Sequence, residues 1–139
     1  MTARYILDTN VLSELSKPAP NAGVLKRFRR HELHVATASI AWNELLFGYQ
    51  RLPSSKRRDL LLAFVDQVLR PSLPILPYDT AAAEWHAAER VRLEKAGTPR
   101  SFIDGQIAAI AHVNGLVLVT ANVKDFRIFD GLVVEDWLS

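Results

Sequence analysis

The stretch Arg4-Tyr5-Ile6-Leu7-Asp8-Thr9-Asn10-Val11-Leu12 places an acidic residue between a strand-like run and a helical one. The pattern predicts a strand over Arg4–Leu7 and a short helix over Asn10–Ser16. Asp8 therefore lies at the carboxyl end of the first predicted strand. A carboxylate in an apolar segment is costly to bury unless a cation or hydrogen-bond donors compensate it. The stretch thus predicts an α/β protein with a compensated charge at a strand end.

Strand-like and helical patterns alternate along the rest of the chain. The remaining predicted strands are His34–Ala38, Leu73–Leu76, Leu116–Thr120 and Leu132–Val134. The remaining predicted helices are Ala22–Glu32, Ser39–Arg51, Ser54–Leu69, Asp79–Ala96 and Ser101–Val113. This alternation predicts an α/β fold with a mostly parallel central sheet. In such sheets ligands bind beyond the carboxyl ends of the strands.

Length and composition narrow the protein class. The 139 residues predict one domain over 1–139, and the hydrophobic content of 49% is enough for a core. The chain has no apolar stretch of membrane-spanning length and no signal-peptide pattern at its start. It has no cysteine, which excludes disulfides and thiolate zinc sites. We expect a cytoplasmic protein with no membrane association.

The charge distribution is mildly basic. The formal net charge is +2 and the sequence pI is about 9.2. Basic residues cluster at Lys26-Arg27, Arg29-Arg30, Lys56-Arg57-Arg58, and at Arg90, Arg92, Lys95 and Arg100. Each cluster alone is typical of a solvated helix face. Together they could flank an acidic site and hold a phosphate backbone.

Four acidic residues in apolar settings are the candidate site: Asp8, Glu44, Asp104 and Asp125. Taken singly, each has a structural interpretation, such as a helix cap, a first-turn acid, a surface residue or a turn. If they converge, they form an oxygen-rich site suited to Mg²⁺ or Mn²⁺, and such a site serves phosphodiester chemistry. Polar neighbours that could orient the acids are Thr9, Asn10, Ser39, Thr120 and Asn122.

Four segments, in order and at ordinary spacing, carry a resemblance to a known family. They are Ile6-Leu7-Asp8-Thr9-Asn10-Val11-Leu12, residues 39–48 around Glu44, Asp104-Gly105-Gln106-Ile107-Ala108-Ala109-Ile110-Ala111, and residues 118–126 ending in Asp125-Phe126. In these segments the chain resembles the PIN-domain ribonucleases, and among them the VapC toxins of VapBC toxin–antitoxin systems, including the FitB-like branch. The resemblance spans the whole chain. It gives no role to Arg100 or Ser101.

The resemblance implies a three-layer α/β/α sandwich and a metal-dependent endoribonuclease that acts as a toxin. Asp8 and Asp104 would be the main ligands of Mg²⁺ or Mn²⁺, with Glu44 beside them and Asp125 at a second or water-mediated position. Products would carry 5′-phosphate and 3′-hydroxyl ends. The implied partners are RNA, a VapB-like antitoxin, and a second copy of the chain in a homodimer. Higher assemblies would form with the antitoxin, and DNA would be contacted only through it.

Other chemistries fit less well. The sequence has no Gly-rich phosphate loop ending in Gly-Lys-Ser/Thr and no Gly-x-Ser-x-Gly elbow. A phosphatase using Asp8 as nucleophile would usually need a second Asp where Asn10 stands. The four histidines lack zinc spacing, and we expect them to be surface or partly buried packing residues. A non-catalytic PIN-fold module that binds RNA or an antitoxin remains an alternative, and metal-dependent cleavage discriminates it from the enzyme.

Overall fold

A parallel β-sheet forms the centre of the molecule. The structure is a computed structural model that describes residues 2–138. Within this range five strands are hydrogen-bonded in the order β3-β2-β1-β4-β5, and every pairing is parallel. The strands are β1 (Tyr5–Leu7), β2 (Val35–Ala38), β3 (Ile75–Leu76), β4 (Val117–Val119) and β5 (Val134–Glu135). The predicted parallel sheet is confirmed, with strand ends that differ by one or two residues.

Helices connect the strands and cover both faces of the sheet. They are α1 (Thr9–Leu15), α2 (Ala22–His31), α3 (Ser39–Gln50), α4 (Lys56–Phe64), α5 (Arg70–Ser72), α6 (Thr80–Lys95), α7 (Phe102–Val113) and α8 (Val123–Phe126). A 3₁₀ turn, Glu32–His34, precedes β2, and a π-helical turn, Val65–Leu69, joins α4 to α5. No helix within residues 2–138 combines the length and apolar character needed to cross a bilayer.

Two hydrophobic cores lie on opposite faces of the sheet because neighbouring strand residues point to opposite sides. Tyr5 and Leu7 of β1 pack into one core with α1 to α4, the π-helical turn Val65–Leu69 and Trp137. Ile6, between them, packs into the other core with α6, α7 and α8. Burial on both faces explains why the strands read as continuous apolar runs rather than alternating ones. The expected three-layer α/β/α sandwich is confirmed.

Local signals explain most element ends. Asp79 caps α6 by accepting a hydrogen bond from Ala82 N at 2.9 Å, as its position predicted. Gly115 follows α7 with φ of 67°, which a residue with a Cβ rarely adopts, and the chain turns there into β4. The helix predicted over Ser54–Leu69 begins later, because Ser55 is its cap and accepts from Arg58 N at 3.1 Å.

Candidate active site

The candidate site lies at the carboxyl edge of the sheet. Asp8 follows β1 directly and caps α1, and its backbone N–H donates to Val119 O of β4 at 2.9 Å. Thr120 follows β4, and α3 begins where β2 ends, which brings Glu44 to the same edge. Because parallel strands end together, residues far apart in sequence meet here.

The Asp8 carboxylate is held by a set of hydrogen-bond donors. Asp8 is only 6% exposed, and its Oδ1 accepts from Thr9 N at 2.8 Å. Its Oδ2 accepts from Thr120 Oγ1 at 2.8 Å and, more weakly, from Asn10 Nδ2 at 3.4 Å. Both oxygens therefore have fixed partners, which supply the compensation that a buried carboxylate requires.

The same network holds the loop that follows β4. The side chain of Asn10 accepts from Ala121 N at 3.1 Å through Oδ1. The fully buried Thr120 hydroxyl, which donates to Asp8, accepts from Asn122 N at 3.0 Å. Thr120 and Asn10 thus tie the carboxyl ends of β4 and β1 into one rigid unit around Asp8.

An open cleft of about 470 Å³ contains three of the four predicted acids. Asp8, Glu44 and Asp104 line it together. The other lining residues are Thr9, Asn10, Ser13, Ser101, Ile103, Ile107 and Asn122. An extended ligand can enter this cleft from solvent because it is a surface feature rather than an enclosed cavity.

Burial and neighbouring carboxylate charges raise the pKa values of the three cleft acids. Burial raises the pKa of Asp8, hydrogen bonds from Thr120 and Thr9 oppose it, and the charge of Asp104 raises it further. Burial also raises the pKa of half-buried Glu44, and the charges of Asp8 and Asp104 add to it. The cleft is therefore a place where a cation is favoured.

Asp104 lies in the first turn of α7, where Ser101 is the helix cap and accepts from Asp104 N at 3.1 Å. Burial raises the Asp104 pKa, Ser101 lowers it, the charge of Asp125 raises it, and the charge of Arg100 lowers it. Asp104 thus lies at the edge of the acidic cleft, where the positive charge of Arg100 acts on it.

Two predicted site residues lie apart from the cleft. Asp125 is exposed on α8, a helix that the sequence did not predict, and it does not line the cleft, although its charge acts on Asp104. Ser39 is the first residue of α3, half-buried, and is not part of the lining either. The structure therefore brings together Asp8, Glu44 and Asp104, with Thr9, Asn10 and Asn122 on the lining and Thr120 buried behind Asp8.

The donor set suits a hard divalent cation. Among residues 2–138 no three acidic or histidine side chains stand close enough to form a ready-made metal cage. Mg²⁺ does not require one, because it commonly keeps several waters and binds one or two carboxylates together with substrate phosphates. Three mutually repelling carboxylates on an open cleft, with only oxygen donors among them, fit that mode of binding.

Sequence reasoning missed four cleft residues: Ser13, Ser101, Ile103 and Ile107. Ser13 lies four residues after Thr9 on α1, so both occupy the same helix face, a signal that was present in the sequence. Ser101, which received no role, lines the cleft and caps the helix that carries Asp104. Ile103 lines the cleft and is 43% exposed, and no pattern marked it.

The expectation that all histidines are at the surface or partly buried is wrong for His86. His86 is 2% exposed on α6, and its Nδ1 lies 2.9 Å from the Tyr78 hydroxyl. The ring packs against Gly105, where an added Cβ would come within 2.0 Å of Nε2. His86 is buried because Gly105 has no side chain and Tyr78 supplies a polar partner.

Comparison with known proteins agrees with this geometry. The family model of the PIN domain matches residues 5–132. The chain belongs to the PIN-domain family. It is 31% identical over 135 residues to the tRNA(fMet)-specific endonuclease VapC of Shigella flexneri, covering 96% of this chain and 98% of that one. It is 30% identical to Toxin FitB of Neisseria gonorrhoeae, covering 95% and 97% of the two chains. Within the PIN-domain family the chain thus groups with the VapC and FitB proteins.

Solved PIN-domain structures share the fold over nearly the whole chain. DNA-bound VapBC from Salmonella typhimurium superposes with a TM-score of 0.85 at 32% identity, covering 97% of this chain and 98% of that one. The structure of FitAB bound to an IR36 DNA fragment gives a TM-score of 0.88 at 28% identity, covering 97% and 96%. Both are complexes that contain a second protein and DNA.

Proposed function

We propose that this PIN-domain protein is an endoribonuclease that depends on Mg²⁺ or Mn²⁺ and acts as the toxin of a toxin–antitoxin pair. The observation that carries the proposal is the convergence of Asp8, Glu44 and Asp104 on one open cleft at the carboxyl edge of the sheet. The relatives named as VapC endonuclease and FitB toxin support RNA cleavage and toxicity as the activity. Because its substrate would be RNA, we expect it to act in the cytoplasm.

In this proposal Asp8 and Asp104 hold the metal, with Glu44 beside them and Asp125 at a second or water-mediated position. The bound metal would supply a lowered pKa for an attacking water and charge stabilisation for the leaving 3′-oxygen. Thr120 and the Thr9 N–H keep the Asp8 carboxylate in one orientation through their hydrogen bonds of 2.8 Å each. Fixed orientation matters because a ligand displaced by a fraction of an ångström loses much of its effect.

The test replaces acids without changing their shape. Asp8→Asn and Asp104→Asn should each abolish RNA cleavage and growth inhibition while circular dichroism stays native. Asp79→Asn is the matched control, because Asp79 caps α6 through a 2.9 Å bond as Asp8 caps α1, yet does not line the cleft. Full activity in Asp104→Asn, or an equal loss in the control, would contradict the assignment. RNA binding by the wild type without cleavage in any divalent metal would instead indicate a non-catalytic module.

We further propose that a VapB-like antitoxin inhibits the protein by occupying the cleft. The solved VapBC and FitAB complexes, two of them bound to DNA, support such a partner and a DNA contact made through it. An Arg of the partner would pair with the cleft carboxylates in place of a metal ion. The exposed Ile103 on the cleft lining would offer apolar contact beside that charge.

Competition calorimetry checks this mode of inhibition. A partner peptide and Mn²⁺ should exclude one another, and the peptide should bind much more weakly to Asp8→Asn/Asp104→Asn. Equal peptide affinity for both proteins, with Mn²⁺ still entering the complex, would show that the peptide inhibits through a different surface.

We also propose a twofold-symmetric homodimer. Light scattering that gives the monomer mass of 15.6 kDa at every concentration would exclude it.

A further inference from the structure

A second, smaller pocket lies beside the cleft, between α6 and the amino end of α7. Its volume is about 110 Å³. Ser101 lines both this pocket and the acidic cleft, so the two share a wall. The pocket is large enough for a phosphate group.

Two arginines line the pocket, and neither has a carboxylate partner among the residues that the structure describes. The Arg90 guanidinium lies 4.8 Å from the Phe102 ring centroid, which orients the group and leaves the edge with its N–H donors free. Arg100 is exposed next to the cap of α7, and its charge is felt at Asp104. Both are therefore available to an anion.

His86 forms the buried wall of this pocket. It is 2% exposed, its Nδ1 lies 2.9 Å from the Tyr78 hydroxyl, and its Nε2 faces Gly105, where an added Cβ would come within 2.0 Å of it. The groups of the pocket that can bind an anion are therefore the two guanidinium groups and the Ser101 hydroxyl.

We propose that this pocket, with Arg90, Arg100 and Ser101 on its lining, binds a backbone phosphate of the RNA next to the one held at the acidic cleft. The inference rests on the proposed ribonuclease function and assigns its RNA a second contact point. Glu94 also lines the pocket, four residues after Arg90 on α6, and reduces its positive charge without cancelling it. A single phosphate matches the net positive charge of the two arginines and Glu94, and the volume of the pocket, better than a larger anion does.

RNA fits better than an acidic peptide because the pocket adjoins, through Ser101, the cleft where cleavage would occur. A strand that crosses Ser101 places one phosphate beside Asp104 and a neighbouring one between the arginines. The contact would position the strand but would read no base. The contact would stabilise the enzyme–RNA complex and the transition state equally. It would therefore lower KM without changing kcat.

The experiment measures binding of a labelled single-stranded oligoribonucleotide in EDTA at several salt concentrations. Arg90→Gln/Arg100→Gln should weaken binding about tenfold and reduce the salt slope by about 0.7, the value for one phosphate contact on a single strand. Glu94→Gln should tighten binding, because it removes the opposing charge. Arg4→Gln/Arg70→Gln is the matched control and should have the wild-type slope. It removes the same charge, Arg4 stands just before β1 and Arg70 begins α5 ahead of β3, and neither residue lines the pocket or the cleft.

Cleavage in Mg²⁺ adds a second readout. The arginine double variant should raise KM about tenfold with kcat nearly unchanged, which separates a positioning contact from damage to the acidic site. A wild-type salt slope in this variant, with normal wild-type cleavage, overturns the pocket and leaves the ribonuclease intact. Absence of RNA binding and cleavage by the wild type overturns both. Normal RNA binding with loss of antitoxin affinity would assign the pocket to a partner's carboxylate and refute the phosphate proposal.

Discussion

Thr120→Val would remove one hydroxyl from the centre of the site while keeping the branched shape of the side chain. Thr120 is fully buried, and its Oγ1 both donates to Asp8 Oδ2 at 2.8 Å and accepts from Asn122 N at 3.0 Å. The change therefore deprives a buried carboxylate of a donor and a backbone N–H of its acceptor. It leaves every cleft-lining side chain in place.

The expected loss of metal affinity can be derived from the hydrogen bond that Thr120 donates to the Asp8 carboxylate. Such a bond contributes about 1.5–3 kcal/mol, which corresponds to roughly tenfold to a hundredfold in metal affinity. The lower half of that range applies, because Asp8 keeps its 2.8 Å bond from Thr9 N and the weaker one from Asn10. Thr120 lowers the Asp8 pKa, so its loss raises that pKa further, and the acid limb of the pH–rate profile should move to higher pH.

Calorimetric titration with Mn²⁺ measures the loss of metal affinity, and a pH–rate profile measures the shift of the acid limb. Urea unfolding of the apoprotein measures the change in the free energy of unfolding. Thr120→Ser is the control, because it restores the hydroxyl and should recover most of the metal affinity. The reasoning fails if Thr120→Val binds Mn²⁺ as tightly as the wild type with an unchanged acid limb. It also fails if Thr120→Ser is as impaired as Thr120→Val, since the loss would then come from packing.

Three further outcomes follow from the carboxylates and from the His86 contact. Millimolar Mn²⁺ should raise the melting temperature, by the equivalent of about 2.7 kcal/mol at a hundredfold excess over its Kd, and Asp104→Asn should lose most of this gain. Without metal, burial raises the pKa of Asp104, so its carboxyl group binds a proton more tightly in the folded protein than in the unfolded chain. The stability that this difference contributes is complete below about pH 3.8 and is lost as pH rises. Asp104→Asn should therefore gain stability relative to wild type between pH 4 and pH 7 in EDTA, and a constant difference over that range would refute the burial of this charge. Gly105→Ala should destabilise by about 1–3 kcal/mol, since its Cβ would lie 2.0 Å from His86 Nε2, and His86→Ala in the same chain should relieve part of that loss in urea unfolding.

The sequence predicted the layers of the fold because its signals there are local. Runs such as residues 116–120 are continuous and apolar since the sheet is covered on both faces, and the alternation with helices implied parallel strands. The position of Asp8 at a strand end followed from the same reading. The convergence of Glu44 and Asp104 with Asp8 followed from the family resemblance, and the structure places all three on one cleft.

What the sequence could not predict depends on contacts between distant residues. The bond between Thr120 and Asp8 joins positions 112 residues apart, and only the register of β4 beside β1 brings them together. His86 is buried through Gly105 and Tyr78, and no local pattern marks a glycine as the complement of an imidazole. Asp125 has the sequence setting of a site residue, but no pattern predicted the short helix α8, which places it outside the cleft lining with its charge still acting on Asp104.

The amino end of α7 separates two environments of opposite charge, and this arrangement determines how RNA would bind. On one side Asp104 shares a cleft with two other carboxylates, which repels a phosphate until a cation is present. On the other side Arg90 and Arg100 attract a phosphate whether or not a metal is bound. Metal should therefore strengthen RNA binding as well as enable cleavage. The arginine contact should persist in EDTA, because it lies beside the cleft at Ser101 and needs no cation.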